Sequence, residues 1–234
     1  MAINLKKMRI GFFKRGVRDD IDQFRLHING VESYLEKEVK DLVNYHEERT
    51  KDLTQEEKDE YYDFYSDDYW QLSEVFPNIQ RKSELIGIYT LLEHHLNSLC
   101  SIYEGHSNSQ VKLSDLRANG IIETAKKYLV KVIGINFPSS GATWQEIKKV
   151  QRIRNLFVHN DGQLKGNEGD KLPIKQYISS SPFLELDQYE RIIIKKGFSD
   201  HCLGLFRTFF DELCTVVDSF EQTNLTIAST QTGA

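Results

Sequence analysis

Cysteine is scarce in this chain of 234 residues, and its three positions, Cys100, Cys202 and Cys214, form no Cys-x-x-Cys pair. An odd count without paired spacing excludes a disulfide framework and a four-thiolate zinc site; reduced, mostly buried thiols of a cytosolic protein are the expectation. Long apolar runs are missing as well. The segment from Met1 to Arg9 carries lysine and arginine but not the apolar centre of a signal peptide, and no later stretch reaches membrane-spanning length, so no membrane partner is expected. The chain also lacks an excess of positive charge, with a formal net charge of −5 and a pI near 5.8. A protein that coats nucleic acid through its overall field needs a broad basic surface, so any RNA contact must be local.

What is present points to helices. A charged fraction of 28% beside a hydrophobic fraction of 39% suits long solvated faces on a helical core, and the length fits one domain, residues 1 to 220, with a Thr-, Ser- and Gln-rich tail at 221–234 expected to fray. Residues 1 to about 19 show no sustained period and read as a lead-in. From Asp19-Asp20, a plausible N-cap, Ile21, Phe24, Ile28, Val31, Leu35, Val39, Leu42 and Val43 recur at three- and four-residue spacing, which predicts a long helix. Thr54-Gln55-Glu56-Glu57 has the form of a capping box, and a second helix should run from it through Tyr61, Tyr62, Phe64, Tyr65, Tyr69 and Trp70 to stop at Pro77. Its aromatic stripe can be read as a base-stacking surface, but packing is the preferred reading.

The cleanest apolar stripe, Leu85, Ile88, Leu92, Leu96, Leu99 and Tyr103, predicts a helix over roughly 79–103. Within it His94 and His95 point about 100° apart and cannot chelate one metal, so His95 reads as a core or interface histidine. A further helix should start at Ser114 or Asp115 and end near Gly134. Another should begin at Thr143 after the Pro138–Gly141 loop. Residues 163–171 read as a surface loop. The β-favouring runs Lys175–Ile178, Phe183–Leu186 and Arg191–Lys195 read as a small hairpin or three-stranded insertion near 175–195, and Phe198–Phe220 as a closing helix.

The chemistry concentrates in Arg154-Asn155-Leu156-Phe157-Val158-His159, followed by the helix-stopping Asn160-Asp161-Gly162. On a helical wheel Trp144, Ile147, Val150, Ile153, Phe157 and Val158 share one half, while Lys148, Arg152, Asn155 and His159 take the other. Arg154 breaks the division, because its direction lies among the apolar positions. A guanidinium there must be paired, or face a cleft or a subunit boundary. His159 should lie at a helix C-terminus, where the dipole favours imidazolium. Histidine can move the proton and arginine can stabilise the phosphoryl oxygens when a ribose 2′-hydroxyl attacks the adjacent phosphate, a reaction that needs no metal or other cofactor.

A mainly helical chain with arginine, a polar residue, three further residues and histidine near the end of a late helix resembles the HEPN superfamily. The resemblance covers residues 79 to 220 by helix pattern, and the motif's arginine, polar neighbour and histidine correspond to Arg154, Asn155 and His159. It implies a HEPN-like helical bundle acting as a metal-independent endoribonuclease, with two motifs meeting across a homodimer interface in a composite site. It further implies a role in prokaryotic defence or as a toxin, with an antitoxin or regulatory protein as partner. The long N-terminal helices, residues 1–76, and the strand-like insertion depart from the minimal family form.

On this reading His159 is the general acid/base, Arg154 binds the scissile phosphate, and Asn155 orients one of them. Lys148, Lys149 and Arg152 extend a track for RNA phosphates. Two competing readings stand beside it. In one, Arg154 pairs with Glu84 or Glu93 and His159 merely ends the helix. In the other, the chain is a non-catalytic helical module that dimerises or binds a nucleotide or protein.

Overall fold

The computed structural model describes residues 5–107 and 109–231. The fold is mainly α, with eight α-helices and a single two-stranded hairpin among the described residues. They are α1 (Leu5–Thr50), α2 (Gln55–Phe64), α3 (Ser66–Trp70), α4 (Phe76–Glu104), α5 (Ile121–Tyr128), α6 (Ala142–Asn160), α7 (Glu168–Ser180) and α8 (Phe198–Gln231), with β1 (Leu184–Leu186) and β2 (Ile192–Ile194) between the last two helices. Among the described residues no helix is long and apolar enough to cross a membrane.

The residues group into two compact units, each assembled from stretches far apart in sequence. The first takes the chain up to Gln23, then Gly87–Arg152, then everything from His201. Here α1 and α8 run antiparallel, as their ion pairs show: Lys14 with Asp218 at 2.5 Å, Arg18 with Asp211 at 3.1 Å and Arg207 with Asp22 at 2.6 Å. Between these elements lies an aromatic core. Trp144, Phe137 and Phe209 pack within 5.0 to 5.6 Å of one another, and Phe13 and Phe210 meet the His95 ring edge-on. His95 is buried, with Nε2 3.0 Å from Asp20 Oδ2, and burial pulls its pKa below the ordinary histidine value despite that carboxylate. All three thiols are free, Cys100 and Cys202 buried and Cys214 partly so, and burial pushes Cys100 up to about 12. Thiols so far from the thiolate form are poor nucleophiles.

The second unit comprises Phe24–Ile86 and Ile153–Asp200. Its polar centre is a two-pronged pair in which Arg81 Nε and Nη2 donate to Glu32 at 2.6 and 2.9 Å. Ser199 donates to Glu84 at 2.7 Å nearby, and Arg25 reaches Asp200 at 2.6 Å. The hairpin pairs Leu184 with Ile194 and Leu186 with Ile192, and both isoleucines are buried.

Several boundaries differ from the sequence expectation. The helix expected from Asp19 already runs from Leu5, because Ile10, Phe13 and Val17 carry the buried spacing of Ile21 and Ile28 backwards through Gly11 and Gly16. Residues 1–4 lie outside the described set. The capping box is present, with Thr54 Oγ1 accepting from the Glu57 amide and Glu57 accepting from the Thr54 amide. The aromatic helix it starts, however, breaks at Tyr65. Pro77 does not end a helix. It sits in the first turn of α4 behind a widened turn, Gln71–Val75, which avoids the collision a proline ring makes with the carbonyl four residues back.

Residues Leu113–Asp115 form only a tight turn, and α5 begins at Ile121 after Gly120. The stop at Gly134 is as expected, in a left-handed conformation at φ 87°. Of the loop expected over 163–171, the part from Glu168 belongs instead to α7, whose N-cap Asn167 accepts from the Asp170 amide at 3.0 Å. Lys175–Ile178, expected as a strand, is therefore helical. Helix α8 continues past Phe220 to Gln231, and residues 232–234 of the expected tail lie outside the described set.

Candidate functional site

Helix α6 begins just after Gly141, and its apolar positions go where the wheel puts them: Trp144, Ile147, Val150, Ile153 and Phe157 are buried. Val158 does not follow, being 45% exposed, so the apolar stripe is narrower than the sequence suggested. Arg154 is half-buried, in keeping with its direction among the apolar positions. Its Nη1 donates to Asn155 Oδ1 at 3.0 Å. That bond restrains one edge of the guanidinium, whose planar fork of donors suits bidentate recognition of a phosphate. Glu84, one of the two acids considered as Arg154's partner, accepts from Ser199 and from Gln80, at 2.7 and 3.1 Å.

His159 is exposed on the last turn of α6. Four residues separate it from Asn155, which puts both on one face of the helix. The helix then closes through two left-handed residues, Asp161 at φ 49° and Gly162 at φ 79°, and the Gly162 amide donates back to the Leu156 carbonyl at 3.0 Å. Glycine is needed at 162 on two counts, since a β-carbon there would also stand 2.5 Å from the Phe157 ring.

Backbone hydrogen bonds tie this helix end to the hairpin. The Ile192 amide donates to the Gly162 carbonyl at 3.0 Å, the Leu164 amide donates to the Glu190 carbonyl at 3.1 Å, and Gln163 bridges to Arg191. Lys82 adds a cation, its Nζ 3.1 Å from Asp161 Oδ1 and 5.6 Å from the centre of the Phe157 ring. A positive charge at a helix C-terminus complements the partial negative charge of the last carbonyls. Sequence reasoning did not single out Lys82, which lies 79 residues from Asp161.

Around the hairpin turn, Glu190 is in the left-handed region at φ 58° and accepts from both Lys171 and Lys175 at 2.6 Å. The two ammonium groups hold its carboxyl down at about 2. This cluster anchors α7 to the hairpin that holds the end of α6.

The three residues expected as a phosphate track fall in the first unit. Lys148 donates to Glu123 at 2.9 Å and to Gln151 at 2.5 Å, and Lys149 to Glu146 at 3.0 Å. Arg152 is exposed. Both lysines are thus already answered by carboxylates. Among the described residues no group of three or more His, Cys, Asp or Glu side chains is placed to hold a metal ion.

Chemically, the braced end of α6 offers a hydrogen-bonded guanidinium and, five residues on, an exposed imidazole, the two directions diverging by about 140° on an ideal helix. Compared with protein-family models, curated proteins and solved structures, the chain gives no match.

Proposed function

We propose that this chain is a metal-independent endoribonuclease related to the HEPN superfamily. The observation that carries the reading is the 3.0 Å hydrogen bond from Arg154 Nη1 to Asn155 Oδ1, one turn before the exposed His159. Arg154 binds the scissile phosphate and stabilises the charge that gathers on its oxygens, and Asn155 holds the arginine in register. His159 moves the proton. The 2′-oxygen forms a new bond to phosphorus as its proton is removed, and the bond to the 5′-oxygen breaks. The products are a 2′,3′-cyclic phosphate and a 5′-hydroxyl that has gained a proton.

Two proton transfers at opposite oxygens suit two histidines, so the working form is a homodimer in which each copy contributes its motif to a composite site. Such an enzyme acts on cytoplasmic RNA in defence or as a toxin and is restrained by an antitoxin or regulatory protein. Incubating the purified protein with RNA in excess EDTA tests the reading. Cleavage lost in both His159→Ala and Arg154→Ala while the circular dichroism is retained supports it. A wild-type protein inert on diverse RNAs, alone and with candidate activating partners, overturns it. Sedimentation tests the composite site, which a strict monomer at micromolar concentration contradicts.

One observation favours a second reading. Lys148 and Lys149 are neutralised by Glu123 and Glu146, which shortens the cationic track a nuclease would use. A non-catalytic module that dimerises or binds a nucleotide or protein has no need of that track.

A further inference from the structure

In the second unit, residues 55–75 form an arm unlike the rest of the chain. None of these described residues is buried, although they include four tyrosines, a phenylalanine and a tryptophan. Phe64 is 79% exposed and Trp70 58%, and Tyr62, Tyr69 and the adjoining Phe76 and Ile79 are exposed as well. The aromatic stripe that sequence alone assigns to packing therefore faces outwards for most of its length.

The arm is nonetheless built as ordered helix. Its capping box is complete, and its base is anchored where the Tyr61 hydroxyl meets His46 Nδ1 at 2.8 Å and the Tyr62 hydroxyl meets Thr50 Oγ1 at 3.1 Å. A rigid support that presents large apolar side chains to solvent at a loss of hydrophobic stabilisation is the usual mark of an interaction surface.

Charge identifies the partner. Residues 55–75 hold eight acids, Glu56, Glu57, Asp59, Glu60, Asp63, Asp67, Asp68 and Glu74, against the single Lys58. Nucleic acid and anionic membranes are repelled by such a face despite its aromatic rings. Lysine and arginine are attracted twice, by the carboxylates and by the faces of exposed tryptophan and tyrosine rings.

At the end of the arm lies a groove of about 670 Å³ whose wall includes Trp70, Glu74, Asn78 and Ile79. The two cations of the groove wall are already engaged, Arg81 by Glu32 and Lys82 by Asp161.

We infer that the acidic, aromatic arm over residues 55–75 docks a lysine- and arginine-rich segment of a partner protein. One basic side chain of that segment lies in the groove against Trp70 and Glu74. The inference is independent of the nuclease reading, since it uses none of Arg154, Asn155 and His159.

The probe is a fluorescein-labelled synthetic peptide with arginine and leucine at helical spacing, titrated against the full chain by anisotropy, with a glutamate-for-arginine peptide as its counterpart. Saturable binding of the basic peptide alone is expected, weakened at least tenfold by Phe64→Ala with Trp70→Ala. The two substitutions leave the charge unchanged and remove only exposed rings, so circular dichroism should not alter. Amide chemical-shift changes should map to residues 55–79. Binding that survives the loss of both rings reflects net charge alone and overturns the inference. So does binding that maps elsewhere, an equal preference for single-stranded RNA, or self-association of the chain through this face in place of peptide binding.

Discussion

The edge of the Phe157 ring lies 2.5 Å from the point a β-carbon on Gly162 would occupy, so the ring and the glycine close the end of α6 together. Gly162→Ala meets two penalties, a left-handed backbone at φ 79° and the collision with the ring. A loss on the order of 2 kcal/mol is expected. It should appear as a lower urea midpoint with an unchanged slope. An unaltered midpoint would mean that the ring gives way at no cost.

Removing one half of the Arg81–Glu32 pair should do more damage than removing both. The Glu32 side chain is only 8% exposed, and Glu32→Ala leaves the guanidinium without its main counter-charge. A cost of about 3 kcal/mol is expected for the single substitution. Glu32→Leu combined with Arg81→Met should recover much of that, and thermal melts of the single and double variants decide the point.

Acid should release the anchor between α7 and the hairpin. Glu190 has its carboxyl depressed from the ordinary 4.5 to about 2 by Lys171 and Lys175. A depressed carboxyl stabilises the fold fully above about 4.5, and that contribution is lost as pH falls from there towards 2, because the unfolded chain binds the proton first. Glu190→Gln should therefore be less stable than wild type at pH 6, and the gap should close as the two are compared down to pH 2. A gap that stays constant across that range would show that the carboxylate charge is not what matters.

Asn155 offers the finest test of the proposed nuclease. Asn155→Ala removes the acceptor of the Arg154 Nη1 hydrogen bond without touching either reacting group. Cleavage should slow about tenfold, the worth of one charge-assisted hydrogen bond. Asn155→Asp, which keeps an acceptor oxygen in place, should restore most of it. Equal rates in all three proteins would remove Asn155 from the site.

Helix faces were legible where the apolar spacing was unbroken: Leu85, Ile88, Leu92, Leu96 and Leu99 are all fully buried. The capping box at Thr54 was equally legible, since its two hydrogen bonds are local. Helix α7 was not. Gly169 and Pro173 argue against a helix locally, and Tyr177 and Ile178 favour a strand, yet both are buried in helical form while Lys171 and Lys175 reach Glu190. Contacts distant in sequence outweighed propensity there. The same division runs through the site. Arg154 and Asn155 are neighbours in sequence, so their contact is local, whereas Lys82 and the hairpin reach the helix end from distant parts of the chain that no local pattern connects to it.

The two units are interleaved along the chain, and that order constrains biosynthesis. The unit holding Arg154, Asn155 and His159 draws on residues up to Asp200, and the other draws on everything from His201 onward. A growing chain therefore cannot complete the second unit until residues as late as Asp200 have left the ribosome, nor the first until Phe206, Phe209 and Leu213 of its core have followed. The 55–75 arm carries its own capping box at Thr54 and rests its base on His46 and Thr50, all of them translated before the hairpin that braces the His159 helix end. If the chain does cleave RNA, the order of synthesis provides an interval in which a restraining protein can bind before the site is complete.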